Sequence, residues 1–275
     1  MEKVIIDIKD IHKFAKALAQ YHITYGLRDL PWRKTKNPYY ILVSEIMLQQ
    51  TQVARVEEKY KTFIQTFPTV GDLARAPQSE VLRLWSGLGY NRRAKFLHQC
   101  AQAIVRDYKG VVPKTIEGLC TLPGIGPYTA RAVCAFAYNI PSVLFETNIR
   151  TVFIHHFFPD AKEKISDTIL APYVEKTIDT KNPRVWYWLL MDYGSYLKSI
   201  GVKTHTKSTM FTKQKKFDGS LRQVRGGIMK LLIQKPHTKQ ALLKHFIKKE
   251  DQVETALLEL IAENLIRKQG RNYLV

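Results

Sequence analysis

The stretch SEIMLQQTQV, residues 44–53, places one carboxylate among apolar side chains. The apolar neighbours of Glu45 along the predicted helix include Ile41, Leu42 and Ile46, and no basic residue stands three or four positions away. On a surface helix an acid commonly has such a partner. Apolar neighbours disfavour an ionised carboxylate and raise its pKa, as a general acid that works near neutral pH requires. Glu45 is therefore a candidate proton donor; the alternative is a partly exposed helix glutamate without a catalytic role.

A second candidate site is the stretch LPGIGPYTARAV, residues 122–133, which places Gly124 and Gly126 between two helix-like segments. Glycine allows a sharp turn and a close approach of the backbone to a ligand. The amides at the start of the following helix then face an anion, and a DNA phosphate suits them. The alternative is a plain tight turn between two helices.

The charge of the chain indicates a polyanionic partner. Its formal net charge is +19, and the segment 198–249 alone holds 14 Lys and Arg against one acid, Asp218. Net charge informs about partners and not about fold. A solubilising surface is the alternative, but contact with phosphates explains the density of charge better.

Cysteine usage and hydropathy indicate a reducing, aqueous compartment. Cys100, Cys120 and Cys134 are an odd number, and each lies in an apolar, helix-like context, which favours buried free thiols. No CxxC motif or Cys/His cluster predicts a metal site. No apolar run approaches the roughly 20 residues of a membrane helix, and the first residues do not resemble a signal peptide. We expect a soluble, cytoplasmic protein that does not bind membranes.

The elements that position these residues are predicted to be helices. Apolar residues recur at threes and fours, with helices on both sides of a polar break at Thr51 and Gln52, and no alternating strand pattern precedes the last ten residues. From Gly219 the chain predicts three short amphipathic helices and a hairpin divided at Gln269-Gly270, which together resemble a winged helix. We therefore predict an all-α, two-lobed fold with a small winged-helix-like appendage. The predicted domains are 1–28 with 137–218, 29–136, and 219–275.

Several motifs in register resemble the helix-hairpin-helix DNA glycosylases, and within them the MutY adenine glycosylase branch. They extend from about residue 28 to 196 and read LPWRKTKNPYYILVSEIMLQQTQV, FPTVGDLARAP, LWSGLGYNRRAKFLH, LPGIGPYTARAV, NIRTVF and LMDYGSY. The resemblance implies the two-lobed helical fold, double-stranded DNA with a mispaired or damaged base as partner, and excision of a base that leaves the duplex. We expect the protein to act as a monomer.

The chain departs from the family in two places. Family members usually carry four cysteines after the MDYG segment, which bind an iron–sulfur cluster. Residues 193–275 contain no cysteine, so we expect no cluster and no other cofactor. MutY proteins also usually carry a sizeable C-terminal domain that reads 8-oxoguanine, and the segment after Gly219 is short for that domain and differs from it.

The resemblance also implies catalytic roles. Breaking an N-glycosidic bond needs an acid that protonates the base and a carboxylate that faces the oxocarbenium-like sugar. Glu45 matches the glutamate that protonates adenine in MutY. Glu146 aligns with the family's catalytic aspartate, and a helix capped by Thr147 or Asn148 is expected to keep its carboxylate ionised. The longer arm of glutamate implies either a remodelled pocket or reduced activity.

Two further residues complete the predicted catalytic set. Asn148 matches an asparagine that positions the catalytic carboxylate, and a helix cap is its alternative role. Tyr128 occupies the position where bifunctional members carry a Schiff-base lysine. A phenol forms no such adduct, so we expect no lyase activity. Tyrosine at this position also occurs in MutY and in mismatch thymine glycosylases.

Other matched positions are predicted to contact DNA or the flipped base. Arg33 matches a residue of the adenine pocket, although a phosphate contact is an alternative. Gln50, Thr51 and Tyr90 match positions that fill the gap in the base stack and probe the opposite base; packing is the alternative for Tyr90. The full predicted set is Arg33, Gln49, Gln50, Thr51, Gln52, Tyr90, Gly124, Gly126 and Thr129.

These observations predict a monofunctional DNA glycosylase that removes a mispaired base, most readily adenine opposite guanine or 8-oxoguanine. Two alternatives stay open: a mismatch thymine or uracil glycosylase on the same scaffold, and a catalytically silent protein that binds lesions. A winged-helix regulator is a distant alternative, because it leaves the first 200 residues unexplained.

Overall fold

The computed structural model describes residues 6–213, 216–247 and 249–275. The chain divides into two compact units. Unit 1 consists of Met1–Ile41, Lys114–Glu117 and Gly126–Lys213. Unit 2 consists of Leu42–Pro113, Gly118–Ile125 and Gln214–Val275. The domain boundaries expected from the sequence stay predictions.

Helices form most of the described chain, as the apolar periodicity predicts. In chain order they are α1 (Ile8–Tyr25), α2 (Pro38–Leu48), α3 (Val53–Thr66), α4 (Val70–Arg75), α5 (Gln78–Trp85), α6 (Arg92–Tyr108), α7 (Ile116–Cys120), α8 (Pro127–Tyr138), α9 (Thr147–Phe157), α10 (Asp167–Thr177), α11 (Pro183–Ser199), α12 (Leu221–Gln234), α13 (Lys239–His245) and α14 (Glu250–Ala262). Short 3₁₀ turns span Pro31–Arg33 and Thr204–Lys207. Within the described ranges, none of these helices combines the length and the apolar character needed to span a bilayer.

Local sequence signals explain where several helices begin. The side chain of Thr69 accepts a hydrogen bond from the Asp72 amide and the Asp72 carboxylate accepts one from the Thr69 amide, so α4 starts with a capping box. Pro127 occupies the first turn of α8 directly after Gly126. Proline suits that position because its fixed φ is helical and its missing N–H would have no helical partner.

In unit 1, α11 packs closely against the start of α9. A Cβ atom on Gly194 would lie 2.3 Å from the backbone oxygen of Asn148, a distance that no side chain tolerates. The glycine of the segment MDYG therefore lets α11 approach the first turn of α9. On another side of α9, Phe14 of α1 contacts Phe153 with ring centroids 5.4 Å apart.

In unit 2, one part of the core lies among α3 to α6. Phe63 and Trp85 are fully buried, and their rings meet edge to face with centroids 6.2 Å apart. Aromatic pairs of this geometry contribute beyond the area that they bury. This core supports the loops that follow α2 and α5.

The C-terminal segment, residues 219–275, combines α12, α13 and α14 with a small antiparallel sheet. Its strands are β1 (His237–Thr238), β2 (Arg267–Gln269) and β3 (Asn272–Leu274), in the order β1-β3-β2. The predicted hairpin at Gln269-Gly270 is confirmed, since β2 and β3 pair on either side of it. Strand β1 was not predicted, because two residues are too few to show an alternating pattern.

Candidate functional site

Glu45 lies in the part of α2 that belongs to unit 2, and it is buried. The residue is 7% exposed, and Leu42, Val43, Ile46 and Met47 beside it are each 3% exposed or less. The expectation that Glu45 lies on an inward face of its helix is therefore confirmed. Its role as the proton donor stays a prediction.

The loop after α2 contains Gln49, Gln50, Thr51 and Gln52, and α3 begins directly after it. Gln50 is exposed and has φ +53°, which is the left-handed region. An L-residue in that region costs roughly 1–2 kcal/mol. The surrounding structure must therefore favour this turn, which projects Gln50 outward. The predicted DNA contacts of these four residues stay predictions.

Tyr90 follows α5 in a second loop of the same unit and shares this backbone conformation. Its φ is +48°, and 42% of the residue is exposed. Two predicted stack-filling residues, Gln50 and Tyr90, thus stand in exposed turns with left-handed backbone. Strain of this kind persists only where neighbouring contacts determine the conformation, and it is concentrated at functional sites.

Arg93 supplies such contacts at the end of α2. Its Nη1 atom donates hydrogen bonds to the backbone oxygens of Ile46 at 2.8 Å, Met47 at 2.9 Å and Gln49 at 2.5 Å. The last carbonyls of a helix have no partner inside the helix, and a cation near them also complements the helix dipole. Arg93 therefore stabilises the end of the helix that carries Glu45.

The other terminal nitrogen of Arg93 connects the two loops. Its Nη2 atom donates to Thr51 Oγ1 at 3.0 Å, to the Gly89 oxygen at 3.0 Å and to the Leu88 oxygen at 3.2 Å. Burial lowers the pKa of Arg93 to about 10, so the guanidinium remains charged near neutral pH. We did not predict this role. The signal was a basic residue three positions after Tyr90, but only the fold brings the acceptors together.

The two hairpin glycines, Gly124 and Gly126, have different structural roles. Gly124 has φ +76°, and a Cβ atom there would lie 2.5 Å from Cβ of Phe96, so glycine is needed for the turn and for the close approach to α6. Gly126 precedes α8 at its N-cap position, where the positive end of the helix dipole attracts an anion. Thr129 is 3% exposed, and its predicted contact with DNA stays a prediction.

Glu146 caps α9 with its own side chain. Its Oε1 atom accepts a hydrogen bond from the Ile149 amide at 2.9 Å, and Oε2 accepts one from Asn148 Nδ2 at 3.1 Å. The expectation that Thr147 or Asn148 caps this helix was wrong, because the carboxylate one residue earlier has the reach to do so. The helix amides and the Asn148 side chain together fix the position of the Glu146 carboxylate.

The pKa of Glu146 also differs from expectation. Burial raises its pKa, and the amides of Asn148 and Ile149, with the charges of Lys198 and Arg150, lower it only in part. The expected effect of the helix start is therefore present, but the loss of solvation outweighs it. A carboxylate in this state is poorly solvated and is stabilised further by a nearby cation.

Asn148 and Tyr128 complete the residues predicted to be catalytic. Asn148 Oδ1 is buried and accepts no hydrogen bond within the described chain, while its amide group donates to Glu146. Tyr128 is the second residue of α8 and is half-buried. The position of Asn148 beside the Glu146 carboxylate agrees with the positioning role that the resemblance implied; both catalytic roles stay predictions.

Arg33 pairs with a buried carboxylate in unit 1. Its Nη1 atom lies 2.6 Å from Asp192 Oδ2 and its Nη2 atom 2.9 Å from Asp192 Oδ1, and its side chain is 7% exposed. Arg28 also donates to Asp192, through its backbone amide at 2.9 Å and through Nε at 2.5 Å. Burial alone would raise the pKa of Asp192, but Arg33 and Arg28 outweigh it and lower the pKa. The predicted contact of Arg33 with the flipped base stays a prediction.

The end of α11 and the residues after it do not fit the iron–sulfur cluster that the family resemblance would imply. Residues 193–275 contain no cysteine, and the described part of the chain holds no cluster of three or more potential metal-binding side chains. Within unit 1, hydrogen bonds hold the residues that follow α11. The Ile165 amide donates to the Lys207 oxygen at 2.8 Å, and Thr204 Oγ1 donates to the Thr151 oxygen at 3.0 Å.

Known proteins resemble this chain in sequence and structure. The adenine DNA glycosylase of Mycolicibacterium smegmatis is 51% identical over 129 residues, which are 46% of this chain and 44% of that protein. The adenine DNA glycosylase of Buchnera aphidicola is 33% identical over 184 residues, 67% of this chain and 52% of that protein. The chain thus spans about half the length of these curated relatives. The solved structure of a thermostable thymine-DNA glycosylase superposes with a TM-score of 0.63 and 27% identity, over 73% of this chain and 96% of that one.

A sequence model of a protein family matches the central part of the chain. This part, residues 43–174, includes α2, the hairpin glycines and the start of α9. It matches the family described as HhH-GPD superfamily base excision DNA repair protein. The similarity to base excision DNA repair proteins of the HhH-GPD superfamily thus lies in residues 43–174, just under half of the chain.

Proposed function

We propose that the protein is a monofunctional DNA glycosylase that hydrolyses the N-glycosidic bond of adenine opposite guanine or 8-oxoguanine. The observation that carries this proposal is the buried Glu45, 7% exposed on an apolar helix that leads into an exposed, strained loop. Burial disfavours the ionised form of a carboxyl group, as the role of proton donor to a base requires. The naming of similar proteins as adenine DNA glycosylases supports the choice of base.

The proposed reaction assigns one step to each carboxyl group. Glu45 donates a proton to the adenine ring while the bond between the sugar C1′ and the base nitrogen breaks, and the bonding electron pair leaves with the base. The Glu146 carboxylate, fixed by Ile149 N and Asn148, stabilises the oxocarbenium-like sugar. Water then adds to C1′ and loses a proton, which leaves an abasic site.

The absence of a lysine at position 128 supports a monofunctional reaction. Tyr128 has no amine that could attack C1′ and form a Schiff base, so the abasic strand stays intact. The proposed partner is duplex DNA with a mispaired or damaged base. We also propose that the protein acts as a monomer in the cytoplasm, at the nucleoid if the source is prokaryotic.

A mismatch thymine or uracil glycosylase is the second candidate. The similarity to a thermostable thymine-DNA glycosylase over 73% of this chain favours it. A silent lesion binder is a weaker candidate, because a binder has no use for a carboxyl group buried at the position of Glu45.

A base-release assay on duplexes with one defined lesion distinguishes these functions. The panel contains A opposite G, A opposite 8-oxoguanine, T or U opposite G, and hypoxanthine, and the released base is identified by mass. We expect adenine, with strand breaks only after alkali. Release of thymine or uracil alone would select the second candidate, and tight binding without release of any base would select the silent binder.

A further inference from the structure

The C-terminal segment contacts the exposed tyrosine of the second loop. Nη1 of Arg222, in the first turn of α12, donates a hydrogen bond to the hydroxyl oxygen of Tyr90 at 3.0 Å. In addition, the guanidinium of Arg93 lies 5.5 Å from the centre of the Tyr90 ring. Two arginines therefore determine the orientation of a side chain whose backbone is strained.

This contact belongs to a set that fixes the segment on α5 and α6. Gln78 Nε2 donates to the Asn264 oxygen at 3.0 Å, and Lys95 Nζ donates to the Glu263 oxygen at 2.6 Å. The Glu263 carboxylate in turn pairs with Arg225 of α12 at 2.6 Å. Because α12 is fixed at several points, Arg222 can position Tyr90 rather than follow it.

Arg222 and Tyr90 also continue a surface that suits a polyanion. Starting from Gly124 of the hairpin, Phe96 lies against the glycine, and the exposed guanidinium of Arg92 lies 4.9 Å from the Phe96 ring centre. Tyr90 stands two residues before Arg92. The C-terminal segment extends the positive charge, since residues 219–249 include eight Lys and Arg and no acid. A DNA backbone is the partner that such a run of cations attracts.

We propose that the C-terminal segment is part of the DNA-recognition surface, with Arg222 as a positioning residue that holds Tyr90 against the base opposite the lesion. The inference rests on the proposed function, because it assumes that Tyr90 enters the base stack. A tyrosine restrained at its hydroxyl and at its ring loses little further freedom on binding, and this pre-organisation improves discrimination between opposite bases.

The test compares binding of the full-length protein to four duplexes that differ only in the base opposite one adenosine. The adenosine carries a 2′-fluorine, which destabilises the oxocarbenium ion and prevents cleavage, and the opposite base is 8-oxoguanine, G, C or T. The variants are Arg222→Ala, Tyr90→Phe, the double variant, and the control Lys230→Ala, which removes an exposed charge from the same helix. The readout is the ratio between the weakest and the tightest dissociation constant.

We expect Arg222→Ala and Tyr90→Phe each to reduce this ratio, on the order of tenfold, and the double variant to reduce it no further. Lys230→Ala should weaken all four duplexes alike and leave the ratio unchanged. The inference is wrong if Arg222→Ala leaves DNA binding unchanged or weakens all four duplexes alike, as Lys230→Ala should. It is also wrong if the losses of the two single variants multiply in the double variant. Equal binding of all four duplexes by the unmodified protein would contradict it as well. Because no base is released here, failure of the proposed function shows separately, in the base-release assay.

Discussion

Arg33 contacts both carboxylate oxygens of Asp192, at 2.6 and 2.9 Å, and the Asp192 side chain is fully buried. The two hydrogen bonds run side by side, which is the strongest geometry for this pair of groups. Because Arg28 binds the same carboxylate, Asp192 has little capacity left for a reacting sugar. We assign Asp192 to the structure of unit 1 and propose Glu146 as the catalytic carboxylate.

Asp192→Asn should lower the free energy of unfolding by about 3–5 kcal/mol, because it leaves the buried Arg33 without a counter-charge. Urea denaturation measures the change. Asp29→Asn is the control, since its partner Lys34 is 65% exposed and exposed pairs contribute little. Equal stability of the two variants would show that the buried pair contributes no more to the free energy of unfolding than the exposed pair does.

The sequence predicted the helices, the hairpin glycines and the inward orientation of Glu45 because each leaves a local signal. Apolar spacing, glycine and capping residues act within a few positions of the chain. The pairing of Arg33 with Asp192 and the six acceptors of Arg93 depend on residues distant in sequence, and no local pattern indicates them. The raised pKa of Glu146 was missed for the same reason, since burial is a property of the whole fold.

Glu146→Gln should reduce single-turnover base release by about three powers of ten or more, because an amide does not stabilise the developing cation. The glutamine oxygen can still accept a hydrogen bond from the Ile149 amide, so thermal unfolding should change little.

Glu146→Asp should also lower the rate of base release, since the shorter side chain withdraws the charge from a pocket built around glutamate. A faster Asp variant would indicate a decayed pocket, and equal rates for all three proteins would remove Glu146 from the mechanism.

The pH dependence of the base-release rate should reflect the raised pKa of Glu146. In the proposed reaction the carboxylate form of Glu146 is the active one, so the rate should fall as the pH drops through a pKa above the ordinary value of 4.5. The measurement is a pH profile of single-turnover rates on one duplex. A limb at or below pH 4.5 would show that the burial of Glu146 does not govern its ionisation in the complex with DNA.

Arg93→Lys should slow base release at least tenfold, as an order-of-magnitude estimate for misplaced catalytic groups. A single ammonium group cannot reach the acceptors at Met47, Thr51 and Gly89 together, so both loops should loosen. Hydrogen exchange should then become faster at residues 49–52 and 88–90. Lys61→Arg, on the exposed side of α3, is the control, and unchanged exchange in Arg93→Lys would refute this role.

The most direct test of the central claim is the rate at which free adenine is released under single-turnover conditions from a duplex with adenine opposite 8-oxoguanine. The control variant Glu58→Gln changes an exposed glutamate of α3 and should match the unmodified protein. Glu45→Gln keeps the shape of the side chain but has no acid proton, so it should bind the duplex with little change in affinity and lose at least a hundredfold in rate. Adenine release by Glu45→Gln at nearly the unmodified rate would contradict the assignment of Glu45 as the acid that releases the base.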